Sequence, residues 1–233
     1  MNSDAQQLGV TVVTIDGPSG SGKGTVSRLL AGRCQWHLLD SGALYRLVAL
    51  AGSRAGLASD DVAGHAALAL RMHVLFTSDA LGAERVLLDE HDVSGELRTE
   101  VAGQGASRVA AWPAVRRSLL ERQRAFARPP GLVADGRDMG TVVFPHSPLK
   151  IFLTASAEER ARRRYKQLKE KDSSVTLAGL SVDIAERDGR DTARSVAPLM
   201  PAADAFILDS TALDAAAVAE RIYALGRARS LWP

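Results

Sequence analysis

One cysteine, Cys34, stands among 233 residues, which excludes an intrachain disulfide and fits a reducing compartment. No apolar stretch approaches the roughly 18 residues of a membrane span. The first residues, "MNSDAQQLG", lack the basic-then-apolar pattern of a signal peptide. The expectation is a soluble, cytoplasmic protein with no membrane partner. A net charge of +2 is too small to indicate a nucleic-acid partner. Lysine is scarce, at positions 23, 150, 166, 169 and 171 only, so most basic residues are arginine. A guanidinium donates two parallel hydrogen bonds and suits phosphate and carboxylate, although a GC-rich genome produces the same bias. His37, His65, His73, His91 and His146 show no metal-ligand spacing, and no Cys/His pair suggests zinc. All five read as structural or exposed. Internal repeats and low-complexity segments are missing too.

What is present is an alternation. "VTVVTID" (10 to 16), "WHLLDSG" (36 to 42), "GLVADG" (131 to 136), "LKIFLTA" (149 to 155) and "AFILDS" (205 to 210) are short apolar runs ending in polar residues. The last three are expected to be strands buried on both faces. Helical spacing lies between most of them: Val26, Leu29, Leu30 and Cys34 recur after the first, and Ser41 can cap the helix "ALYRLVALAGSRAG" after the second. The fold class expected is α/β, a three-layer sandwich with a parallel core sheet. Residues 72 to 98 break the pattern, with strand-like alternation and a turn at Asp79 to Glu84. They read as a small antiparallel insert. "SSVTLAG" (173 to 179) reads as a loop between two arginine-rich helices.

Between the first strand and its helix lies "GPSGSGKGT". Gly17-x4-Gly22-Lys23 is the pattern of a P-loop, in which backbone N–H groups converge on phosphate oxygens at the positive end of a helix. Lys23 would reach the β- and γ-phosphates of ATP. The strict motif has Ser or Thr directly after the lysine; here Gly24 intervenes and Thr25 follows. Thr25 is therefore the candidate hydroxyl near Mg2+, directly or through water. The ATP-binding set is Gly17, Pro18, Ser19, Gly20, Ser21, Gly22, Lys23, Gly24 and Thr25.

The "GKGT" variant is the form found in nucleoside monophosphate kinases. Together with "LLDSGALYR", "DVSGELRT", "ASRVAAWPAVR", "ADGRDMGTVVFP", "KIFL", "ERDGRD" and "APLMPAADAFILDST", the chain closely resembles the bacterial cytidylate kinases over almost its whole length. The resemblance implies transfer of the γ-phosphoryl of ATP to CMP and dCMP, with Mg2+, by a monomer that binds small nucleotides and no nucleic acid. It also implies one kinase domain. Its core would span 9–61, 106–155 and 196–233, with a nucleotide-binding insert at about 62–105 and a helical lid at about 156–195.

The acceptor side can be weighed on chemistry. A hydroxyl acceptor needs a base, whereas a phosphate monoester, with a second pKa of about 6, is mostly dianionic at neutral pH. It needs cations that hold two repelling phosphates in line. Arg46, Arg137, Arg187, Arg190 and Arg194 are available, several beside strand ends. By resemblance, Ser41, Tyr45 and Arg46 lie along the acceptor nucleotide, and Arg137 grips its phosphate. Asp138 helps read the base, as do Ser107 and Arg116, which would otherwise pass for surface helix residues. Asp191 and Arg187 meet the ribose, and Arg194 serves the nucleotide and the transferring phosphate. Asp135 belongs to the same set but equally resembles a metal-organising aspartate. Lys23, Arg137, Arg187 and Arg194 are the candidate catalytic residues, and one of Arg160 to Arg164 is expected over ATP. Two rival readings are a kinase for UMP or a metabolite hydroxyl, and a nucleotide-dependent ATPase or switch.

Overall fold

The computed structural model describes residues 9–78, 84–169 and 175–232. They fall into two compact units: one holds the residues up to Asp40 and from Gln123 onward, the other Ser41–Arg122. The first unit begins with β1 (Val12–Asp16), α1 (Lys23–Cys34) and β2 (His37–Asp40). The second contains α2 (Ser41–Arg54), α3 (Val62–Arg71), β3 (Val74–Ser78), β4 (Glu84–Leu88), β5 (His91–Asp92), α4 (Ser94–Leu97), α5 (Glu100–Val109) and most of α6 (Pro113–Arg124). The chain then returns through β6 (Leu132–Gly136), a π-helical turn (Met139–Val143), β7 (Leu149–Thr154), α7 (Ala157–Lys169), α8 (Leu177–Thr192), β8 (Phe206–Asp209) and α9 (Ala215–Arg227).

The expected α/β architecture forms. Five parallel strands lie in the order β2-β6-β1-β7-β8. β1 is central and buried over its whole length. Its inward residues Val13 and Ile15 join Val133, Ile151 and Leu153 in a core closed by Val26 and Leu30 of α1 and Val218 and Ile222 of α9. β1 is also where the strand order reverses, with β6 on one side and β7 on the other. Ligands collect at the carboxyl ends of strands at such a switch point. The second unit carries the separate antiparallel sheet β3-β4-β5. Of the turn expected at Asp79 to Glu84, residues 79–83 lie outside the described residues, and Glu84 already opens β4.

Two local expectations are corrected, for β8 and for the segment that opens α8. β8 is not buried on both faces: it pairs only with β7, so it is an edge strand, and Ile207 is 68% exposed while Leu208 alone faces the core. β2 is the opposite edge and leaves His37 exposed. Leu177–Gly179 is helix rather than loop, because the Thr176 hydroxyl caps the Gly179 N–H at 3.1 Å and starts α8 there. The earlier part of that loop lies outside the described residues. Among the described residues, no helix is long and apolar enough to cross a membrane.

Candidate active site

β1 delivers the chain to Gly17, where φ is 149° and a Cβ would stand 2.1 Å from the Leu153 carbonyl oxygen. Only glycine fits that turn. Gly20 and Gly22 also take positive φ, at 80° and 91°. α1 then begins at Lys23, with no side chain capping its N-terminus and no acidic residue in its first turn. The leading amides and the helix dipole are thus left to an anion. Lys23 is buried, and its Nζ donates to the Pro18 carbonyl at 2.8 Å. Burial, with Arg137 nearby, pushes its ammonium down to about 7. Phosphate beside it would favour the charged form again.

The loop is braced from α7. Arg160 donates to the Ser19 carbonyl at 3.1 Å and to Asp188 of α8 at 2.5 Å. Arg163 reaches the Ser21 carbonyl at 3.1 Å, the Ser210 hydroxyl at 3.0 Å and the Ser210 carbonyl at 2.6 Å. Arg162 and Arg164 instead bond Glu159 and Gln167 on their own helix. Sequence reasoning offered the whole arginine run without choosing among its members. The four-residue spacing to Glu159 marks Arg163, but nothing local marks the loop carbonyls as its partners.

At the end of β6 the structure gathers three of the expected residues. Arg137 Nε donates to Asp191 Oδ2 at 2.9 Å, and Arg194 pairs with the other carboxylate oxygen. Arg194 lies just past the end of α8, where the Leu199 N–H closes on the Asp191 carbonyl at 2.9 Å. Asp191 is almost fully buried. Burial opposes its charge, but Arg137, Arg194 and Arg187 outweigh burial and hold the carboxyl below its ordinary value. A depressed folded-state pKa contributes stability that is complete above the unfolded value of about 4 and lost as pH falls below it. Denaturant unfolding at stepped pH should therefore show stability dropping below about pH 4, with a shallower slope for Asp191→Asn. Equal slopes would remove Asp191 as the cause.

Asp135 and Asp138, on the same strand end, are both buried. A Cβ on Gly24 would sit 3.4 Å from Asp135 Oδ2, so that carboxylate lies against the first turn of α1. Thr25, one residue on, is exposed. Among the described residues, no group of three or more His, Cys, Asp and Glu side chains could hold a metal alone. The hydroxyl and carboxylate are hard oxygen donors that suit Mg2+ carried in by phosphates.

In the second unit, Ser41 and Tyr45 are buried on the first turns of α2, with Arg46 half-buried beside them. Ser107 on α5 and Arg116 on α6 are 2% and 8% exposed, so the alternative of surface helix residues is ruled out. Arg116 donates to the Ala110 carbonyl at 3.2 Å, and its guanidinium carbon lies 5.7 Å from the Tyr45 ring centroid. A planar cation over an aromatic face is a rigid donor.

Sequence reasoning missed Asp16. It closes the buried strand β1, and it accepts the Met139 and Gly140 N–H groups, each at 2.8 Å. A carboxylate at the end of such a strand was the available signal.

A central strand, a glycine loop with a buried lysine and an arginine cluster at the next strand end define a P-loop phosphotransferase. The cytidylate kinase family model matches residues 13–227. The cytidylate kinase of Pseudomonas fluorescens (strain SBW25) is 59% identical over 212 residues, covering 91% of this chain and 93% of that protein. That of Methylococcus capsulatus is 56% identical over 204 residues, covering 88% and 91%. Among solved structures, a shikimate kinase from Acinetobacter baumannii aligns with a TM-score of 0.44 at 16% identity, covering 98% of this chain and 99% of that one. That likeness is too loose to inform the site. The chain belongs to the cytidylate kinase family.

Proposed function

We propose that the protein transfers the γ-phosphoryl of ATP to CMP and dCMP, giving ADP and CDP or dCDP. The observation that carries this reading is the pairing of Arg137 and Arg194 on one buried carboxylate, on the same unit as the phosphate-loop lysine. That arrangement suits an acceptor that is already an anion. The loop amides and Lys23 hold the ATP phosphates. Arg137 holds the acceptor phosphate, and Arg187 and Arg194 meet the charge that develops during transfer. Thr25 and Asp135 would hold Mg2+, which would supply charge neutralisation to the phosphates. Ser41, Tyr45 and Arg46 line the acceptor nucleotide, and Asp191 with Arg187 meets its ribose. α7 and α8 act as the lid that excludes water.

Ser107, Arg116 and Asp138 read the base. Cytosine offers an exocyclic amine and ring acceptors, which a carboxylate or hydroxyl and a guanidinium respectively satisfy. Uracil sets a carbonyl where the amine was and leaves a buried acceptor unpaired. Arg116→Met should raise KM for CMP about tenfold or more and leave ATP affinity unchanged. An equal loss for both nucleotides would indicate damage to the fold.

The direct test is ADP release from ATP and Mg2+ with CMP, dCMP, UMP, AMP and no acceptor in parallel. Strong turnover with the cytidine nucleotides and feeble turnover with UMP supports the reading. Hydrolysis that ignores the acceptor overturns it.

A further inference from the structure

Arg137 and Asp138 open a loop after β6, and a loop needs something to set its position. The next residues, Met139–Val143, form a π-helical turn. The first two amides of that turn are both taken by one side chain: Asp16 Oδ1 accepts from Met139 N–H and Oδ2 from Gly140 N–H, each at 2.8 Å. Gly140 has no Cβ to hold the two apart. A Cβ there would lie 2.9 Å from Thr14 Oγ1, 3.2 Å from Lys150 Cδ and 3.3 Å from Asp16 Oδ2. The other end of Asp16 is equally constrained, because it is the last residue of the central strand and directly precedes Gly17 of the phosphate loop.

From this we infer that Asp16 is a positioning residue. Its carboxylate fixes the turn that presents Arg137 and Asp138 in register with the phosphate loop, so donor and acceptor groups share one anchor on β1. The inference rests on the acceptor-side roles proposed for Arg137 and Asp138.

The energetics weigh against a packing role alone. Asp16 is 5% exposed. Burial, and also the Asp138 charge, push its carboxyl up to about 7, against the help of the two amides and Lys23. A charged group in that position costs stability. Two side-chain oxygens accepting from adjacent amides at once are what a side chain with a single acceptor oxygen could not reproduce.

Asp16→Asn keeps the shape but offers one oxygen to two N–H donors. Steady-state kinetics should show KM for CMP rising about tenfold with KM for ATP changed less than about twofold. Gly140→Ala crowds the turn off the carboxylate with Asp16 intact, and should shift the same constant in the same direction by less. In 15N spectra, the Met139 and Gly140 amide protons of the unsubstituted protein should lie downfield, be protected from exchange, and lose both features in Asp16→Asn. A folded Asp16→Asn protein with unchanged CMP kinetics, or with equal losses for CMP and ATP, overturns the inference, as do unprotected amides in the unsubstituted protein. Asp138→Ala separates the two layers. If that variant leaves CMP kinetics untouched, the acceptor-side role of Asp138 fails while the amide signals still report on the clamp.

Discussion

Lys23→Ala should lower turnover by about 10²- to 10³-fold while ATP binding weakens far less. The difference follows from where the lysine sits. Its Nζ is buried and bonded to the Pro18 carbonyl within its own loop, so it is part of a preorganised cradle rather than a mobile surface charge. Many loop amides share the ground-state work of holding ATP, and losing one ammonium from that set is a modest change. The charge that builds on the transferred group has fewer partners, so the same loss weighs more there. Nucleotide binding by titration calorimetry and turnover by ADP release separate the two effects. An unchanged turnover number would remove Lys23 from the chemistry.

Arg137→Met should cost about 10²- to 10³-fold in kcat/KM for CMP, with KM for ATP little altered. This variant also loses stability, because Arg137 and Arg194 share the two oxygens of a carboxylate whose side chain is 2% exposed. Arg194 would remain to neutralise Asp191. The loss is thus expected at about 1–3 kcal/mol rather than the larger figure for an abandoned buried charge. Arg137→Lys restores the charge but not the fork, so it should recover stability better than activity. Wild-type CMP kinetics in a folded Arg137→Met protein would sink the role.

The elements most readable in the sequence were those in which local pattern and tertiary role coincide. The run "VTVVTID" is apolar on both faces because β1 has a neighbouring strand on each side and a core against it. Positive φ at Gly17, Gly20 and Gly22 makes the loop glycines visible in the chain itself. Ile207 was misread for the complementary reason: an edge strand and a central strand can carry the same apolar run, and only pairing tells them apart. Asp16 was passed over because an acid at a strand end is ordinary until its two amide partners, more than 120 residues away, are known.

By itself, the sequence determined the α/β class and the phosphate loop, because alternating periodicity and glycine geometry are local properties of a chain, and its quoted motifs carried the resemblance to the family. Tertiary structure alone decided that Arg160 and Arg163 brace the loop, that Asp191 gathers Arg137 and Arg194, and that Asp16 anchors the turn behind them. These are contacts across many residues, and a buried carboxylate or guanidinium acquires its function from the partners that folding brings to it.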